Sequence, residues 1–158
     1  MAKQDWFPLK KRKKNGEKAV TNLQKICELA GEKGLEIALE PLNRFESDLV
    51  NTTEDVMRIA NDINHPAAKI LLDGFHMNIE KSDIKKTILL AGDKLIHMQV
   101  SENDRGTPGT GQTRWDDYKQ VLKAINYNGV VAIESFTPNI KELAGAICIW
   151  KTARTKSK

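Results

Sequence analysis

LEIALE at 35–40 is a short apolar run closed by a carboxylate, Glu40, and three later stretches repeat the design. AKILLD at 68–73 ends on Asp73, KLIHMQV at 94–100 carries Gln99, and GVVAIE at 129–134 ends on Glu134. A parallel strand covered on both faces reads as an apolar run, and in open α/β sheets and barrels the chemistry gathers at the carboxyl ends of such strands. The four oxygen-bearing side chains are therefore expected to converge.

Between these runs the apolar period changes to that of a helix. Val20, Leu23, Ile26, Cys27 and Ala30 fall on one helical face ahead of Gly34, and Thr52 and Asp55 are spaced as a capping box for a helix carrying Val56, Ile59, Ala60 and Ile63, which Pro66 ends. Ile84, Ile88 and Ala91 line a third helix that stops at Gly92. Tyr118, Leu122 and Ile125 line a fourth, after which the pair Asn128 and Gly129 turns the chain into the last strand. A final helix is expected from about Pro138 to Trp150. The strand ends recur every 26 to 35 residues or so, the length of a βα unit with its loops. The expected fold class is α/β, built of parallel (β/α) units of the TIM-barrel type with about four strands. No G-x-G-x-x-G follows any strand, which argues against a dinucleotide site.

The formal charge of +4 hides a division. Residues 1–18 hold seven Lys/Arg against Asp5 and Glu17, a balance of +5, and residues 151–158 hold four basic residues and no acids, +4. The body between has 14 basic and 19 acidic residues, −5. Residues 1–16 are thus expected to be a flexible basic leader, 17–150 the folded domain and 151–158 a basic tail. An acidic body offers no basic stripe, so nucleic acid is an unlikely partner, although LKKRKK at 9–14 is an electrostatic tail in its own right. No stretch approaches the roughly 20 apolar residues of a membrane span, and no signal-peptide h-region follows the basic residues. With Cys27 and Cys148 far apart and each inside an apolar helical pattern, reduced packing thiols and a cytoplasmic location are expected.

Three carboxylates brought together are costly without a cation. Their oxygens, with the amide oxygen of Gln99, suit Mg²⁺ or Mn²⁺ better than zinc, which prefers nitrogen and sulfur; Co²⁺ is a further option. Strand alternation puts His97 on the same face as Gln99, either as an inner layer or as a competing ligand. The glycine-rich RGTPGTGQ at 105–112 resembles a phosphate cradle but lacks the Lys-Ser/Thr of a P-loop, and reads first as a tight active-site loop. Trp115 and Phe75 are aromatic candidates to stack on a ligand, with packing the competing role for Trp115.

EPLNRFE at 40–46, LLDGFHMNIE at 71–80, SENDRGTPGTG at 101–111 with Trp115, and ESF at 134–136 resemble, in order and spacing, the successive motifs of the sugar phosphate isomerase/epimerase superfamily. These are xylose-isomerase-like TIM barrels, and the ketose 3-epimerase branch, which acts on tagatose and psicose, is the most similar. The resemblance implies that Glu40, Asp73, Gln99 and Glu134 bind the metal, and that Glu40 and Glu134 are the acid/base pair on opposite faces of the sugar. It further implies that Glu46, His76 and Arg105 hydrogen-bond the first oxygens of a ketose or sugar phosphate. A cis-enediolate reprotonated from the other face would invert C3. Gln99 departs from the epimerase pattern, which has His there, and is similar to hydroxypyruvate isomerases of the same superfamily. The alternative is an inactive half-barrel that binds metal or self-associates.

A TIM barrel takes about 250 residues and eight strands. The resemblance maps this chain onto the C-terminal half, so a half-barrel is expected, with unpaired edges at Leu35 to Glu40 and Val130 to Glu134 and an exposed inner sheet face. A missing N-terminal half, or a second copy pairing edge to edge, would complete it.

Overall fold

The computed structural model describes residues 9–146. They form four strands, β1 (Ile37–Leu39), β2 (Ala68–Asp73), β3 (Leu95–Val100) and β4 (Val130–Ile133), and six helices. The helices are α1 (Leu9–Glu32), α2 (Thr53–Ile63), α3 (Gly74–Glu80), α4 (Ile84–Ala91), α5 (Trp115–Ala124) and α6 (Ile140–Ala146), and a single 3-10 turn over Gly92–Lys94 leads into β3. The strands make one parallel sheet in the order β1-β2-β3-β4, each neighbour reached through a helical crossover, so the α/β half-barrel expected from the sequence is the fold.

Local chemistry accounts for most boundaries. The Thr52 hydroxyl accepts the Asp55 amide at 3.2 Å and donates to the Asp55 carboxylate at 3.0 Å, a reciprocal cap on α2. That helix ends at Asn64 in the left-handed conformation (φ 50°), two residues before Pro66. Asp83 caps α4 by accepting the Lys86 amide at 3.0 Å. The expected leader boundary at 16 falls inside α1, whose Lys, Arg and Glu residues are good helix formers and carry the helix across Gly16. Pairing of the first run is confined to Ile37–Leu39, leaving Leu35 exposed. The last helix is described only as far as Ala146, and Cys148, Trp150 and the basic tail lie outside the described residues.

Alternate strand residues part the sheet into two faces. One carries Leu39, Ile70, Leu72, Met98, Val100 and Ile133, and packs against Val56 of α2, Ile88 and Ala91 of α4, and Tyr118, Val121 and Leu122 of α5. A satellite cluster joins Cys27 and Ala30 of α1 to Ile59 and Ile63 of α2. On the other face Ala38 and Val130 are exposed and Leu71, His97 and Ala132 are half-buried. As expected, β1 and β4 are the edges, and Val130 on β4 is 58% exposed. Among the described residues no helix is long and apolar enough to cross a membrane.

Candidate active site and metal centre

The register puts Asp73 beside Gln99 and Gln99 beside Ala132, so Asp73, Gln99 and, two residues past Ala132, Glu134 share the open face at the carboxyl end of the sheet. Glu40 directly follows β1, and the Glu134 amide extends the ladder by donating to the Val100 carbonyl at 3.0 Å. His97 stands opposite Leu71 and Val130, one layer deeper in the sheet than Gln99.

Asp73 is the buried centre of the group. One oxygen, Oδ1, accepts the Phe75 amide at 2.7 Å and so caps α3, while Oδ2 takes an ion pair from Arg105 Nη1 at 2.7 Å. The other arm of the same guanidinium, Nη2, meets Glu134 Oε2 at 2.9 Å. Burial above all, aided by the neighbouring Glu134 carboxyl, pushes Asp73 up to about 7 against the opposing pull of the Phe75 amide and Arg105. Glu40 is also raised, by burial and then by the negative charges of Glu134 and Glu46. Glu40, Asp73 and His76 each offer one ligand atom within 4.8 Å of the others.

The hydrogen bonds of His76 decide its part in that group. Its Nδ1 accepts the Asn43 backbone amide at 3.3 Å and lies 2.8 Å from the Asn43 side-chain nitrogen, which places the ring proton on Nε2. Burial holds its pKa below the usual value, so the ring is neutral at pH 7. Nε2–H then faces Glu40 Oε1 at 3.7 Å and Asp73 Oδ2 at 3.9 Å as a donor edge, suited to an oxygen rather than to a cation. The Asn43 side-chain amide also donates to Glu46 Oε1 at 2.7 Å, and its oxygen accepts the Phe45 amide at 2.9 Å. Asn43 thus ties Glu46 and His76 into one cluster. Its signal in the sequence is an ordinary Asn in a turn.

Arg105 adopts a left-handed backbone (φ 67°), and its guanidinium lies 4.7 Å from the Phe75 ring and 4.9 Å from that of Phe136. Its Nε–H is buried with no acceptor among the described residues. Of the residues singled out from sequence, Glu40, Glu46, Asp73, His76, Arg105 and Glu134 are therefore brought together, and the register aligns Gln99 with them. Phe75 lies against Arg105 and meets His76 edge-on. Trp115 packs at a tilt on Tyr118 and donates its indole N–H to Glu102 Oε1 at 2.7 Å.

The xylose isomerase-like TIM barrel family profile matches residues 6–153. The chain is 33% identical over 147 residues to an L-ribulose 3-epimerase of Methylomonas sp. (strain DH-1), covering 92% of this chain and 51% of that protein. It is 35% identical over 134 residues to a D-psicose 3-epimerase of Enterocloster bolteae, covering 85% and 44%. The crystal structure of a D-psicose 3-epimerase with D-tagatose from Clostridium cellulolyticum H10 superposes with a TM-score of 0.79 at 31% identity, covering 96% of this chain and 51% of that one. The chain spans about half the length of the curated relatives it matches. Profile, identity and superposition agree with one another, and the chain belongs to the xylose isomerase-like TIM barrel family.

Proposed function

We propose that the chain supplies the metal and acid/base corner of a divalent-metal-dependent ketose 3-epimerase acting on a small ketose or its phosphate. The observation that carries this reading is the convergence of Glu40, Asp73 and Glu134 from three strand ends, crowded enough that both Asp73 and Glu40 bind protons more tightly than ordinary carboxyls. Such a set fits a divalent cation, with Gln99 as a neutral oxygen donor, and its all-oxygen character favours Mn²⁺ or Mg²⁺, then Co²⁺. A bound ion of this kind polarises a ketose carbonyl and its neighbouring hydroxyl, which lowers the cost of losing the C3 proton.

The remaining steps belong to the chain's own residues. Glu40 follows β1 and Glu134 follows β4, the two edge strands, so a sugar seated over Asp73 and Gln99 meets one carboxylate on either side. One removes the C3 proton and the other returns a proton to the opposite face. Burial and the charges of Glu134 and Glu46 raise the affinity of Glu40 for protons, the direction in which an acid/base carboxyl is tuned. His76 Nε2–H and the buried Nε–H of Arg105 donate to the first sugar oxygens, and Glu46 accepts from a hydroxyl. The orphaned Arg105 donor supports this role, since a buried N–H gains most from a ligand acceptor.

The test is deuterium wash-in at C3 of a ketohexose in D₂O with Mn²⁺ and the full chain. Exchange that disappears in Glu40→Gln and in Glu134→Gln is expected. A crystal soaked with Mn²⁺ checks whether Glu40, Asp73, Gln99 and Glu134 share one ion. Activity on hydroxypyruvate instead would move the assignment to the branch that Gln99 resembles.

The open sheet face favours a second reading, a half-barrel that binds metal or self-associates without catalysis, for which wash-in gives nothing while Mn²⁺ still binds. In either reading the unpaired β1 and β4 edges call for further (β/α) units, from a second copy or a separate half. A monomeric mass by light scattering would exclude the second copy. A cytoplasmic setting accords with the buried free thiol of Cys27.

A further inference from the structure

Glu102, two residues beyond β3, is fully buried, and the described hydrogen-bond partners of its carboxylate include no cation. N–H groups surround it instead. Oε1 accepts the Gly109 amide at 2.6 Å and the Trp115 indole at 2.7 Å, and Oε2 accepts the Thr113 amide at 2.9 Å. Burial alone would raise its pKa; the donors from Thr113, Gly109 and Trp115 outweigh it and hold the carboxyl below its usual value. Gly111 presses on the same group, where a Cβ would come within 2.7 Å of Oε2. Gly109 has φ 95°, a conformation that favours glycine.

The glycine-rich loop that resembles a phosphate cradle thus closes on a carboxylate from its own chain. Loop amides that converge in this way make an anion site, and here the anion is internal. We infer that Glu102 is the structural anion of loop 103–114 and the positioning residue for Arg105. The connection is short and covalent. Glu102 N–H donates to the Gly106 carbonyl at 3.1 Å and the Arg105 N–H to the Glu102 carbonyl at 3.0 Å, which brackets Arg105 in its left-handed turn. The Arg105 carbonyl in turn accepts the Phe136 amide at 3.0 Å and the Ser135 hydroxyl at 3.2 Å, docking the loop beside Glu134. A non-glycine residue at positive φ persists only when its surroundings hold it there, and the main chain at Glu102, anchored through its carboxylate to Gly109, Thr113 and Trp115, supplies the loop-side half of that hold. A substrate phosphate would therefore have to bind elsewhere than in this loop. The inference rests on the proposed function only in treating Arg105 as a sugar contact.

The test uses ¹⁵N-labelled full-length chain observed by NMR. In Glu102→Gln the Trp115 indole and the Gly109 and Thr113 amides are expected to exchange roughly tenfold faster, as loss of charge-assisted hydrogen bonds implies. The Arg105 Nε–H resonance shifts or broadens while the Ile70 and Met98 amides keep their protection. In Glu102→Ala, added formate restores the Arg105 resonance and chloride at equal ionic strength does not. An unmoved Arg105 resonance in Glu102→Gln, or equal rescue by chloride, overturns the inference. Should both variants fail to fold, Trp115→Phe, which keeps the carboxylate and two donors, must still move Arg105, by less; an unmoved resonance there overturns it equally. An Arg105 that responds to Glu102→Gln in a chain that shows no C3 wash-in supports this inference and separates it from failure of the proposed activity.

Discussion

The same four strands present two faces that differ in what covers them. On the helix side Ile70, Leu72, Met98 and Val100 are wholly buried, whereas on the other side Leu71, His97 and Ala132 are half-buried and Val130 is largely exposed. Adjacent residues of one strand therefore live in different solvents. The covered face supplies the packing that holds the sheet, and the open face carries the polar strand ends Asp73, Gln99 and Glu134. Below its rim the open face mixes apolar Ala38, Leu71, Val130 and Ala132 with His97 and Lys69.

The largest effect tests that division within one strand. Ile70→Ala should cost about 2–5 kcal/mol in urea denaturation and the adjacent Leu71→Ala far less; equal losses would mean that the open face is covered in solution. Next, Asp73→Asn should weaken Mn²⁺ binding by about a hundredfold, the upper end of what loss of a single supporting partner costs a metal site, read by calorimetry on the full chain. A binding constant that survived would remove the open-face rim from the metal reading. The third prediction concerns pH. Because Asp73 is pushed up to about 7, it carries a proton below that pH and must release it to a metal. Mn²⁺ affinity should then fall roughly tenfold per unit as pH drops from 7 to 5, for a one-proton exchange. Calorimetry in two buffers of different ionisation enthalpy would count the protons released, and a flat profile would break the link between burial and binding. The smallest effect is a control behind the covered face: Thr52→Ala, which removes the cap of α2, should cost about 1 kcal/mol and leave metal affinity unchanged.

Much of this was legible as pattern. The strand-end residues fall at the period of a βα unit, Thr52 caps the Asp55 amide at the spacing expected, and the glycine stop at Gly92 ends α4 as expected. Helix α3 was not legible, because it is seven residues long and begins on the residue after the strand, with Asp73 serving as strand end and cap together. Asn43 was invisible for another reason: its importance lies in reaching His76, 33 residues away, and no local spacing encodes that. The loop at 105–112 read first as a tight active-site loop, with its likeness to a phosphate cradle set aside, and nothing in the sequence says that its amides converge on Glu102. That requires knowing that a residue three positions before the loop folds back into it. Gln99 drew notice as a departure from the resembled pattern, and the register sets it directly between Asp73 and the strand that leads to Glu134.

Asp73 spends its two oxygens in different directions, Oδ1 on the Phe75 amide at the start of α3 and Oδ2 on Arg105. This makes the position almost impossible to vary by small steps. Asparagine has a single carbonyl oxygen, and the helix claims it. The amide nitrogen is then turned toward a guanidinium that has only N–H groups to offer, so the most conservative replacement sets donor against donor. Glutamate keeps two oxygens but moves them a methylene outward from the cap. A lineage could lose this aspartate abruptly, with cap and site together, but could hardly drift away from it.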